Sequence, residues 1–85
     1  MYQVKQTSCF KKDFSKLDHR TQHRLLEKIA LLAKGCESEL DIKKLRGVSN
    51  LFRLRSGNYR ILYQKFQDRL LIILIKARHR KDVYR

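Results

Sequence analysis

Hydrophobic positions along this chain change period near Gly47: helical spacing comes before it and alternation after it. Tyr2 to Thr7 carries a weak strand pattern. Phe10, Phe14 and Leu17 then recur at helical spacing, which predicts a short amphipathic helix. Asp18 suits the N-cap of a second helix running to about Lys34. Leu25, Ile29 and Leu32 form one stripe of it, with Leu26, Ala30 and Ala33 beside them. Gly35 is a natural C′ stop. "CESELD" reads as an acidic loop leading into "IKKLRG". Three strand-like runs follow, Leu51–Arg55, Tyr59–Gln64 and Leu70–Ala77, the last apolar on both faces as a central strand would be. The order β, α, α, β, β, β predicts an α+β fold, with a helical hairpin packed on a mainly antiparallel four-stranded sheet. The whole chain, 1–85, reads as one domain.

Gly57-Asn58 is a two-residue hairpin signal, with glycine first as a type II′ turn requires. That turn pairs Ser56 with Tyr59, Arg55 with Arg60, Leu54 with Ile61, Arg53 with Leu62 and Phe52 with Tyr63. Paired residues share a face. One face then carries Phe52, Leu54, Ile61 and Tyr63 and suits the helices; the other carries Arg53, Arg55 and Arg60. Like charges placed opposite, Arg55 against Arg60, oppose folding, so the cluster points to an anionic ligand. A one-residue register slip would reverse both faces.

The tail "KARHRKDVYR" extends the last strand with Lys76, Arg78, Arg80, Lys81 and Arg85 around His79 and Tyr84. A two-residue turn at Gln67-Asp68 puts His79 on the Arg60 side. One extra residue or a bulge puts Arg78 there instead.

Charge sharpens this picture. The formal net charge is +13, and residues 43–85 hold thirteen Lys/Arg against two Asp/Glu, while residues 1–42 are nearly balanced. Such asymmetry points to nucleic acid, an anionic membrane or an acidic protein. The longest apolar run, Leu70 to Ile75, is far too short to span a bilayer. The N-terminus has no signal-peptide core. A soluble cytoplasmic protein without a membrane partner is expected. Cys9 and Cys36 lack metal spacing and read as reduced, partly buried thiols; no cofactor or metal is expected.

"KLRG…LFRLRSGNYRILYQ" followed by "HRKDVYR" resembles the RelE/ParE superfamily of bacterial toxin–antitoxin proteins, RelE-like branch, across essentially the whole chain. The resemblance implies a RelE-like, microbial-RNase-like fold and an mRNA interferase that cuts messenger in the ribosomal A site without a metal. There the ribose 2′-OH attacks the adjacent phosphorus and the 5′-oxygen leaves. Fixed cations must stabilise the charge that develops, and protons must leave the 2′-OH and reach the leaving oxygen.

On the matching positions, Arg60 in "YR" is implied as the phosphate clamp, because a guanidinium fork matches phosphate oxygens. Arg53 matches a basic position on the preceding strand. Arg78 matches a tail arginine that supports the leaving group, and Tyr84 a tyrosine that stacks on or orients the substrate. One position departs from the pattern: Leu51 stands where RelE has a lysine linked to proton transfer. His79 is the candidate replacement, since histidine titrates near neutrality; as a bystander it would only hydrogen-bond the backbone. Lys43, Lys44, Arg46, Arg55, Arg80 and Lys81 are expected to bind ribosomal RNA or to be solvated charges. His19 and His23 read as helix-surface residues, and Tyr59 and Tyr63 as core or core-edge.

The resemblance also implies a cognate antitoxin, whose acidic or amphipathic segment would cover the basic sheet face and Arg60, and operator DNA bound only through that complex. Two other readings stand beside the interferase. A ParE-like protein would poison DNA gyrase, and a plain ribosome-binding module would lack catalysis, as the missing lysine suggests.

Overall fold

Thr7 and Asp18 start the two helices. Thr7 Oγ1 accepts from the Phe10 N–H and caps α1 (Ser8–Ser15). Asp18 accepts from the Thr21 N–H at 3.1 Å and caps α2 (His19–Ala33); that bond holds its carboxyl below the usual aspartate range. Gly35, at φ 83°, closes α2 as a Schellman motif: its N–H reaches the Leu32 carbonyl and the Cys36 N–H reaches Leu31. The computed structural model describes residues 1–81.

The strands are β1 (Gln3–Gln6), β2 (Asp41–Lys44), β3 (Leu51–Ser56), β4 (Tyr59–Phe66) and β5 (Leu71–His79), with a 3₁₀ turn at Glu37–Glu39 before β2. They form one sheet in the order β1-β5-β4-β3-β2, parallel only between β1 and β5. The α+β architecture is as expected, with one strand more than the hydrophobic pattern predicts. The added strand, β2, has a single apolar residue, Ile42, among charged ones. That is how an exposed edge strand is composed, and it leaves little alternation to detect.

The β3–β4 register is the one the Gly57-Asn58 turn predicts, from Ser56↔Tyr59 to Phe52↔Tyr63. The helices therefore cover Leu54, Ile61 and Tyr63, which are buried with Phe10, Leu25 and Leu32. Each of the buried Leu, Ile and Phe side chains among them contributes roughly 1.5–3 kcal/mol relative to exposure. Phe52 stacks on Tyr63, with ring centroids 5.5 Å apart. Lys65 leaves the same face to pair with Glu37 beside the Tyr2 ring.

Strand β5 starts one residue later than its apolar run suggests, because Leu70 sits at φ 48° in the turn after β4. Phe66 pairs with Leu71, so four residues make that turn. A four-residue turn keeps the facing of a two-residue one. The facing changes farther on. Leu62 pairs with Lys76 and Tyr63 with Leu74, which leaves Ile75 as a bulge on β5. Beyond the bulge every side chain of β5 changes sides.

Candidate functional site

Because of that bulge, Arg60 pairs with Arg78 and Tyr59 with His79. Asp41, Arg55, Arg60 and Arg78 become successive register partners across β2, β3, β4 and β5. Lys43, Arg53, Leu62 and Lys76 form the neighbouring row. Both rows belong to the sheet face turned away from the helices. With strands about 4.8 Å apart, each row spans roughly 14 Å. Six cations thus converge on one face with Asp41 at its margin.

These cations differ in setting. Arg60 is buried, at 8% exposure, in the middle of its row. Arginine is seldom buried unless it is paired. Arg53 lies 3.7 Å from the Asp41 carboxylate, and its buried Nε has no hydrogen-bond partner among the described residues. Arg55 is exposed. Arg78 donates from Nε to Asp13 Oδ2 of α1 at 3.0 Å and from Nη2 to Cys9 Sγ at 3.4 Å. Cys9 and then Asp13 raise its pKa further above the ordinary arginine value. It stays charged at any physiological pH. Fixed cations on a half-dry face suit a phosphodiester.

The structure brings together Arg53, Arg60 and Arg78 of the candidate catalytic set, with Lys43 and Arg55 of the RNA-binding set. It separates His79. Of the two arrangements the sequence left open, the structure takes the one with a bulge: Ile75 puts Arg78 beside Arg60 and turns His79 to the helix side. Its ring is edge-on to Tyr59, with centroids 5.3 Å apart, and its Nδ1 accepts from the Lys81 N–H at 3.3 Å. There it lines a cleft of about 310 Å³ with Asp13, Lys16, Leu17, Tyr59 and its chain neighbour Arg78, whose side chain reaches round the edge of β5 to α1. Leu51 alternates with Arg53 onto the cationic face and pairs with Gln64. Tyr84 lies outside the described residues.

Lys44 has the opposite facing to Lys43, and Arg46 lies exposed in the β2–β3 loop. Arg80 and Lys81 are exposed where β5 ends, with the Arg80 N–H on the Asn58 carbonyl. Both cysteines are free thiols; Cys36 is half-buried as expected, but Cys9 is exposed. Among the described residues no helix is long and apolar enough to cross a membrane. Asp13 escaped sequence reading, since nothing local signals a contact across 65 residues. Lys76 joins the face only because of the bulge.

Residues 4–84 match the family described as "ParE toxin of type II toxin-antitoxin system, parDE". The chain is 37% identical over 83 residues to the toxin RelE3 of Methanocaldococcus jannaschii, covering 88% of this chain and 91% of that protein. Its fold is similar to the RelE-RelB complex of Pyrococcus horikoshii, with TM-score 0.80, 27% identity and coverage of 95% of this chain and 97% of that one. It is also similar to the RelB-RelE antitoxin-toxin complex of Methanococcus jannaschii, with TM-score 0.69, 31% identity and 95% coverage of each chain.

Proposed function

The chain belongs to the ParE toxin family of type II toxin–antitoxin systems, within the RelE/ParE superfamily, and from that premise we propose that it is a ribosome-dependent mRNA endonuclease. The observation that carries this reading is the register of Arg60 with Arg78, one row from Arg53, on the face left uncovered by the helices. Three guanidiniums held there by strand pairing suit a phosphate whose charge rises during reaction.

In the proposed reaction the messenger's 2′-oxygen bonds to phosphorus and loses its proton. The bond from phosphorus to the 5′-oxygen breaks, and that oxygen takes up a proton. The products are a 2′,3′-cyclic phosphate and a 5′-hydroxyl, and no metal takes part. Arg60 and Arg53 stabilise the non-bridging oxygens, and Arg78 supports the leaving oxygen. Tyr84 is assigned to stacking on the substrate, as the resemblance implies. With Leu51 in the lysine position and His79 across the sheet, the described part of this face offers arginines and lysines rather than a group titrating near neutrality. Electrostatic stabilisation is therefore assigned most of the rate. Lys43 and Arg55 extend the face toward ribosomal RNA, with Arg46, Arg80 and Lys81 at its margins.

The proposed partner in the resting cell is an antitoxin whose acidic or amphipathic segment lies over this face; similar chains are solved in complexes with RelB. Charge complementarity would make its association fast and salt-sensitive. The proposed place of action is the cytoplasm, where ribosomes are. Operator DNA is reached only through the antitoxin.

The test is primer extension on messenger cut by programmed ribosomes, with free RNA as control. Cleavage on ribosomes alone, lost in Arg60→Ala, supports the reading. A folded wild type that leaves the messenger intact overturns it. Inhibition of gyrase supercoiling would then identify the second reading, which the ParE description of the family favours. Ribosome binding without cleavage would mark a non-catalytic module.

A further inference from the structure

Strand β1 ends at Gln6, paired with Leu74, and β5 runs on without it. Helix α1 closes the outer edge of β5 from there. Thr7 Oγ1 donates to the Ile75 carbonyl, and the Asp13 carboxylate accepts from the Ala77 N–H at 3.0 Å. The same oxygen, Asp13 Oδ2, accepts from Arg78 Nε at 3.0 Å. One atom of α1 therefore holds two consecutive residues of β5. Cys9, one turn earlier on α1, sits 3.9 Å from that oxygen and takes the Arg78 Nη2 donor.

This geometry divides the guanidinium. Its Nε–Nη2 edge is turned to α1, and among the described residues its Nη1 end has no hydrogen-bond partner. Asp13 is the shielded member of the pair, its side chain 14% exposed against 42% for Arg78. A carboxylate that is itself anchored by a backbone N–H loses little freedom in holding the arginine. That distinguishes it from an ordinary surface ion pair, whose ordering entropy offsets its gain. An arginine free to swing on its long side chain would have to be ordered again at each encounter.

We infer that Asp13 is a positioning residue, which fixes Arg78 by its Nε edge so that its remaining donors meet a substrate phosphate in one orientation. The catalytic part of this inference rests on the ribonuclease reading; the fixing of Arg78 does not. Asp13→Asn separates the two roles. Its amide oxygen still accepts from the Ala77 N–H, but the charge that strengthens the bond to Arg78 is gone.

Two measurements on the full chain test it. The first is proton exchange at the Arg78 Nε–H, followed by NMR in the free protein. Exchange at least tenfold slower than at the exposed Arg69 Nε–H, and at least fivefold faster in Asp13→Asn, supports fixing. Wild-type exchange as fast as at Arg69 overturns the inference without any variant. The second is a double-mutant cycle in ribosomal cleavage, with folding checked by thermal unfolding. Asp13→Asn should slow single-turnover cleavage about tenfold at unchanged ribosome affinity, and should add nothing in an Arg78→Ala background. Unchanged cleavage, or a loss that multiplies with that of Arg78→Ala, overturns the positioning role. A wild type that never cleaves defeats the ribonuclease reading and the catalytic part with it, and the exchange data alone then decide whether Asp13 fixes Arg78.

Discussion

Arg55 and Arg60 lie directly opposite each other across the β3–β4 hairpin, on the face that the helices leave open. Like charges in that relation destabilise a sheet by roughly 0.2–1 kcal/mol. Arg55 is exposed, so replacing it removes the repulsion without opening the core. Arg55 also pairs with Asp41 on its other side, so the repulsion is isolated in an Asp41→Asn background, where Arg55→Thr should raise stability by that amount in urea unfolding at low salt. The gain should shrink as salt screens the pair. A loss of stability, or a gain indifferent to salt, would contradict this account of the face.

Arg60 is the central cation of its row. Removing a fixed donor to a developing oxyanion typically lowers the rate by about 10²–10³. Arg60→Ala should show a loss of that order in ribosomal cleavage. Arg60→Lys should recover only part of it, because an ammonium keeps the charge but not the fork. Full activity in Arg60→Lys would mean that charge alone matters there.

His79 faces the helices beside Tyr59. His79→Gln is therefore expected to keep cleavage within about threefold of wild type, with no change in the acid limb of its pH profile. A loss approaching that of Arg60→Ala would return His79 to the reaction and require β5 to rearrange on the ribosome.

Tyr63 is fully buried, and its hydroxyl has no hydrogen-bond partner among the described residues. Burial pushes its pKa up to about 12 from the ordinary 10. A raised pKa favours the folded state while the phenol stays neutral. That contribution is complete below pH 10 and is lost as pH rises toward 12, about 2–3 kcal/mol in all. Tyr63→Phe should be at least as stable as wild type at pH 7, since an unsatisfied polar group is removed. It should also lose less stability between pH 10 and 12. A large loss at pH 7 would reveal a partner for the hydroxyl.

Local rules carried much of this protein. The helical spacing of Leu25, Ile29 and Leu32, the cap at Asp18, the stop at Gly35 and the Gly57-Asn58 turn are all properties of neighbours in the chain. They were sufficient for the helical hairpin and for the register that places Arg53, Arg55 and Arg60 on one face. Charge asymmetry and two short blocks of residues pointed to the family. Three things waited for the tertiary structure. Strand β2 needed β3 beside it, because Asp41 to Lys44 has too little alternation to declare itself. The choice between Arg78 and His79 turned on the Ile75 bulge, and a strand's facing reverses on one residue that no residue type marks. The grip of Asp13 on Arg78 joins positions 65 residues apart. Sequence periodicity reports which face a residue shares with its neighbours, whereas such a contact exists only once α1 has packed against the edge of β5.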